Sequence, residues 1–329
     1  MSALRVVVAS DAIDQLDSQA AGVALARGWV AAAAAVGAEP PMVAVVPLAQ
    51  AGLPLAAALA ARFDGKVLEA GRCWRVESAD GLAVGVEQSE GDESTADLGE
   101  WLAAALTARS APPGTVVVDL TGIRARDGGA GFLAALGANR SLLGGAELIG
   151  VVPNDESELP LLGLRGSVAR HGFEARLDPA EVLRAEAMMS DWLIQLGQPD
   201  VPGAGAAGGS AAVVLALGGR LAGGAELCAE LAGLDSTVGA ADVVVTGCTA
   251  FHVGNRGGQT VRFVAALAES RQRPCLVFAV ESSLSRREMR TFGVEAAHAL
   301  SGTTVGPDEV TAAVVRAATG WLGTQRSNA

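Results

Sequence analysis

Two strand–helix–strand passages, one near each end of the chain, constrain its fold more than any other feature. Residues 4–9 (LRVVVA) form a short β-branched run of the kind a parallel sheet buries on both faces. An Ala-rich stretch predicts a helix over 18–35, residues 42–46 (MVAVV) a second strand, and residues 51–61 a second helix. Toward the other end, ADVVVTG predicts a strand, residues 258–270 a helix, PCLVFAV another strand, VEAAHAL a short last strand, and residues 307–322 a closing helix. Strands and helices alternating at this spacing imply a parallel sheet with helices packed on it.

The middle of the chain has a different texture. KVLEAGRCWRVES and LAVGVEQ read as a pair of strands around the turn dipeptide Asp80-Gly81. SEGDEST is an acidic loop that leads into a helix over 95–108. TVVVDL and ELIGVV read as buried strands, and residues 178–196 as a helix opened by Asp-Pro. The resulting expectation is one α/β domain built from both termini, residues 1–66 and 240–329, with a second α/β domain, residues 67–239, inserted into it. The chain shows no fixed-period repeat and no long low-complexity tract.

Charge and cysteine usage narrow the function classes. With 24 basic and 36 acidic residues the net charge is −12, a field that repels phosphate backbones and argues against nucleic acid as a partner. No apolar run reaches the ~18 residues of a membrane span. The opening stretch MSALRVVVASDAID lacks the pattern of a secretory signal, so the expected location is cytoplasmic, with no membrane partner. Cys73, Cys228, Cys248 and Cys275 are scattered without a C-x-x-C and read as reduced, mostly buried thiols. His171, His252 and His298 are too far apart in sequence to form a local metal motif, and no metal ligands are expected.

Three glycine-rich stretches carry the candidate chemistry: TGIRARDGGAG after TVVVDL, VPGAGAAGGS before a helix, and TGCTAFHVGNRGG after ADVVVTG. Glycine lets backbone N–H groups approach a ligand, and a following helix adds free donors and a positive dipole end. Such loops suit a phosphate or a carboxylate at strand C-termini. They serve equally as tight turns, since none matches GxxxxGK[ST] and GAGAAG has no clear strand before it. The candidate ligand-binding positions are Gly128, Gly129 and Gly131 in the first loop, and Gly203, Gly205, Gly208, Gly209 and Ser210 in the second. Thr246 and Gly247 are the candidates in the third.

The order of these segments resembles the bacterial glycerate kinase family across nearly the whole chain. PGAGAAGG, residues 202–209, matches a family motif letter for letter. TGIRARDGGAG stands where the family has G-G-S-x-T-x-D-G-G-x-G, and VVVASDAIDQLDS where it has a strand and D-S-F-K-G-S-L-S. PLAQAGLP replaces P-L-A-D-G-G-E-G, and TGCTAFH replaces T-G-E-G-R-x-D, with Gly258-Gln259 at a following G-K pair. The resemblance implies a two-domain glycerate-kinase-like α/β fold, with a flavodoxin-like parallel-sheet domain and an inserted second domain. It implies ATP, Mg²⁺ and D-glycerate as ligands, and phosphoryl transfer to a glycerate hydroxyl.

The departures from the family pattern concern charge. The first-loop lysine falls at Asp14, and the acids of D-G-G-E-G fall at Gln50 and Leu53. The glutamate, arginine and aspartate of T-G-E-G-R-x-D fall at Cys248, Ala250 and His252, and the G-K lysine at Gln259. A P-Q-K-G-A motif is absent from GFEARLDP. Phosphoryl transfer needs carboxylates for Mg²⁺ and cations for the moving phosphoryl group. The expectation is a degraded kinase that binds a small anion or a protein partner, with ATP and Mg²⁺ relevant only if activity survives. In the alternative, an active kinase, Asp11 and Asp127 hold Mg²⁺ or the hydroxyl and Arg124 or Arg126 the substrate carboxylate. Asp11 and Asp127 also suit helix-capping roles, and Arg124 and Arg126 a solvated surface. A third reading is an interaction module that docks through the apolar helix around Trp192.

Overall fold

The computed structural model describes residues 3–300 and 304–327. The chain divides into two compact units, residues 1–50 with 225–329, and residues 51–224.

The first unit begins with β1 (Arg5–Ser10), α1 (Ser18–Ala35) and β2 (Met42–Pro47). Asp17 caps α1, its carboxylate accepting from Ala20 N at 2.7 Å. The second unit runs through α2 (Gly52–Phe63), β3 (Lys66–Ala70), β4 (Cys73–Glu77), β5 (Gly81–Val86), α3 (Ala96–Thr107), β6 (Thr115–Asp119), α4 (Ala130–Leu136) and β7 (Glu147–Val151). It continues with α5 (Ser167–Glu174), α6 (Pro179–Leu196), α7 (Ser210–Ala216) and β8 (Arg220–Ala222). The chain then returns to the first unit with α8 (Gly224–Leu231), α9 (Leu234–Ala240), β9 (Val243–Phe251), α10 (Gly258–Ser270), β10 (Cys275–Ser282), α11 (Arg286–Thr291), β11 (Ala296–Ala299) and α12 (Pro307–Ser327).

The first unit holds a parallel sheet in the order β11-β10-β9-β1-β2. This is the flavodoxin-like order, whose direction of winding reverses between β1 and β9. Apolar side chains of α1, β1, β9, β10 and α12 form its core, with Trp29 and Phe278 fully buried. Gly28 sits where α1 meets α12: a Cβ there would lie 2.4 Å from Val314 Cβ and 2.9 Å from the Thr311 carbonyl. That close approach sets the helix–helix distance.

The second unit holds a mixed sheet in the order β3-β4-β5-β6-β7-β8, antiparallel from β3 to β5 and parallel from β5 to β8. Its core joins β5, β6 and β7 to α3, α4 and α7, around Phe132 and Leu98. The segment expected as one strand, KVLEAGRCWRVES, is two, because Gly71 takes a φ of +62° and turns the chain. Helix α2 packs on β4 and β5, and α9 on β1. The units therefore divide at 50/51 and 224/225, where the sequence expectation was 66/67 and 239/240. Among the described residues no helix is long and apolar enough to cross a membrane.

The α1–α12 contact predicts the cost of filling it. Gly28→Val is expected to destabilise the protein by about 1–3 kcal/mol, because Val314 and the backbone of α12 must move. An unchanged urea midpoint would contradict this account of the contact.

Candidate functional site

In an open parallel sheet a ligand crevice lies outside the strand C-termini, where the winding reverses. In the first unit that place is the pair β1–β9. Asp11 follows β1 directly. Its Oδ1 accepts from Ala12 N at 2.8 Å, and its Oδ2 accepts from the hydroxyl of Thr260, on α10, at 2.7 Å. The Thr260 hydroxyl in turn accepts from Gln50 Nε2 at 2.9 Å. Gln50, in the position of a family aspartate, thus completes a chain of hydrogen bonds ending on Asp11.

Two buried thiols feel the Asp11 charge. Cys248 is buried, and burial together with the Asp11 charge pushes its thiol up to about 12. Burial also raises Cys228, on α8, to about 12, with the Asp11 charge acting in the same direction. A thiol so displaced is neutral at physiological pH and is a poor nucleophile. Asp14, the sign-reversed lysine position, has a φ of 51°; its amide donates to Thr249 Oγ1 at 3.0 Å and its carboxylate accepts from Val305 N at 2.9 Å.

Thr246 and Gly247 were expected to end the strand ADVVVTG and open a glycine loop. They lie inside β9, opposite Val277 and Phe278 of β10, because the strand continues to Phe251. Thr246 is buried with its hydroxyl unpartnered among the described residues. The backbone of Gly247 is hemmed in by Ile13, 2.3 Å from where a Cβ would stand. His252 is exposed, and Arg256 rests over the Phe292 ring with Cζ 4.6 Å from its centre.

In the second unit the first two glycine loops meet. Gly128 N donates to the Gly208 carbonyl at 3.2 Å. Gly208 has a φ of +64°, and a Cβ on it would lie 2.3 Å from the Ala125 carbonyl, so only glycine fits this crossing. The donors of the RDGGAG turn converge on its own aspartate. Asp127 Oδ1 accepts from Gly129 N at 2.9 Å, and Oδ2 accepts from Gly131 N at 2.9 Å and Thr95 N at 3.0 Å. The Thr95 hydroxyl donates to the same carboxylate and accepts from Phe132 N at 2.8 Å. The PGAGAAGG turn is served in the same way by Glu156, whose Oε2 accepts from Ala207 N at 2.9 Å.

The remaining candidates are distributed around these turns. Gly205 N donates to the Leu159 carbonyl at 2.9 Å, and Gly209 N to the Gly205 carbonyl at 3.2 Å. Gly203, at φ +86°, backs onto Leu221 and the Ser157 carbonyl. Ser210 is buried, with its hydroxyl unpartnered among the described residues. The backbone amides of Arg124 and Ala125 are held by Gln88 Oε1, at 3.0 and 2.9 Å, while the Arg124 side chain is exposed. Arg126 is exposed, 3.9 Å from Glu174. Trp192 faces inward, and its Nε1 donates to the Gly128 carbonyl at 2.8 Å.

Sequence reasoning missed Thr260, Thr95, Gln88 and Glu156, each a polar partner supplied from a distant part of its own unit. It also missed Asp119, the charge that ends the apolar strand TVVVD. Its buried carboxyl accepts from Gly52 N, Thr121 N and the Thr121 hydroxyl, and burial pushes its pKa above the ordinary carboxylate value against those three donors. The composition of β6 was the available signal.

The geometry generates two expectations. Asp127→Ala strands three backbone N–H groups and is expected to cost about 2–4 kcal/mol in a denaturation titration, whatever ligand is present; a neutral result would remove Asp127 from its structural role. Ellman's reagent near neutral pH is expected to label Cys228, Cys248 and Cys275 only after unfolding, since burial raises all three thiols to about 12. Fast labelling of Cys248 in the native protein would contradict the geometry of this site.

Comparison with known proteins agrees with the motif order. The model of the glycerate kinase family matches residues 149–321, more than half of the chain. Uncharacterized proteins from Mycobacterium bovis and Mycobacterium tuberculosis are each 35% identical over 209 residues, covering 61% of this chain and 53% of theirs. The chain thus spans about half the length of these curated relatives. A Bacillus cereus protein named glycerate kinase is 29% identical over 164 residues, covering 40% of this chain and 43% of its own. The crystal structure of a provisionally assigned glycerate kinase 2 from Salmonella typhimurium LT2 superimposes with a TM-score of 0.72 at 18% identity, covering 99% of both chains, and so shares the fold. On the family match over more than half of its length, this chain belongs to the glycerate kinase family.

Proposed function

We propose that this protein keeps the glycerate kinase fold as a binding scaffold for a small anion or a protein partner and does not transfer phosphate. The observation that carries the reading is Asp14. At the family's first-loop lysine position stands a carboxylate that accepts from Val305 N, so the reversed charge is tied into the fold. The composition supports it, since Lys66 is the one lysine in the sequence and lies exposed on β3.

The residues present do not fit Mg²⁺ and a triphosphate. A phosphoryl-transfer site sets cations against the phosphate oxygens and keeps carboxylate oxygens free for the metal. Here both Asp11 oxygens accept hydrogen bonds, and Asp14 adds negative charge three residues on. Two amides of the first glycine loop are directed to Asp127 and one of the second to Glu156. Arg124 and Arg126 are the exposed cations beside the loop and are the groups assigned to a small carboxylate or phosphate.

A competing reading retains ATP-dependent phosphorylation of D-glycerate or a related hydroxy acid. It is favoured by the position of Asp11 at the sheet's switch point. Purified protein incubated with ATP, Mg²⁺ and D-glycerate separates the two. The expected result is no phosphoglycerate above the protein-free control, together with a rise in Tm on adding glycerate or a phosphoglycerate. Robust turnover that disappears in Asp11→Asn would overturn the scaffold reading.

A further inference from the structure

Helix α6 shows two faces. Its inward face packs on the second unit through Val182, Met189, Trp192 and Leu193. Its outward face carries Leu183 at 69% exposure, Met188 at 66% and Ile194 at 74%, more apolar surface than a solvated helix face normally shows.

Along the same outward face Arg184 and Asp191 are exposed, and neither makes an ion pair among the described residues. They stand seven residues apart, about 10.5 Å along the axis. We infer that this face pairs with a second copy of the chain, as an antiparallel α6–α6 contact about a two-fold axis between Ala187 and Met188.

The charges specify that arrangement. Arg184 and Asp191 are equally far from the axis, on opposite sides of it. The two-fold therefore brings Arg184 of each copy level with Asp191 of the other, and a contact of opposite charges forms twice. The same operation sets Met188 against its own copy on one flank. On the other flank Leu183 meets Ile194 of the second copy within about one turn. Ala180 and Ala187, exposed near the middle of the face, are small enough for the helices to approach closely. A parallel pairing would set Arg184 against Arg184 and is disfavoured by like charge. Because Trp192 on the inward face holds the Gly128 carbonyl, the helix that carries the contact also braces the Asp127 turn.

The test is the oligomeric state of the full chain by sedimentation equilibrium, with the Kd compared among charge variants at exposed positions. The wild-type chain is expected to be dimeric at tens of micromolar. Arg184→Asp and Asp191→Arg are each expected to raise the Kd tenfold or more, and the double variant to return it to within about threefold of wild type. Unchanged circular dichroism and urea midpoints would show that the variants remain folded. A monomeric wild type overturns the inference and leaves the face to a different protein. A dimer indifferent to both single reversals, or not rescued by the double variant, overturns it as well.

Discussion

A backbone N–H that points out of a glycine turn needs an acceptor, and in the second unit the chain supplies its own. The Asp127 carboxylate gathers Gly129 N, Gly131 N and Thr95 N, and Glu156 takes Ala207 N. Turns of this kind, at strand ends and before helices, attract anions because their donors are oriented together. When the anion is a side chain of the same unit, the turn becomes a rigid joint. The N-terminal end of α4, the entry to α3 and the crossing of the two glycine loops all depend on that one arrangement.

The first unit applies the same economy of donors at a different place. Its sheet reverses winding between β1 and β9, where the fold opens a crevice. Asp11 occupies that position, and its partners are the Ala12 amide and the Thr260 hydroxyl, which itself accepts from Gln50. Around it stand neutral thiols, and Asp14 faces Val305 where the family has a lysine. Asp11, Asp14 and Gln50 are each hydrogen-bonded within the unit, so the fold accommodates the exchanged charges. Phosphoryl transfer is more demanding, because it needs free charges aimed at the reacting oxygens.

Much of this was legible in the residues. LRVVVA, MVAVV, ADVVVTG and PCLVFAV became the parallel strands β1, β2, β9 and β10, since continuous β-branched runs have few other stable uses. Asp178-Pro179 marked the start of α6, where Asp178 and Glu181 complete a capping box. Other elements left weaker traces. Gly71 divided an apparently continuous strand, and β8 is three residues long, too short for any period to register. Thr246 and Gly247 read as the end of a strand opening a loop, yet pairing with β10 carried the strand on to Phe251.

The amino-acid sequence by itself determined the class of fold, the family and the exchange of charge at Asp14, Gln50, Cys248 and Gln259, because these are properties of residue type and order along the chain. Only the tertiary structure decided what the surviving acids do. Whether Asp127 greets a ligand or its own turn depends on Thr95, 32 residues away, and whether Asp11 is free depends on Thr260, 249 residues away. It also decided that Trp192 turns inward while Leu183, Met188 and Ile194 remain exposed, since a helix shows which face it buries only when it has something to pack against.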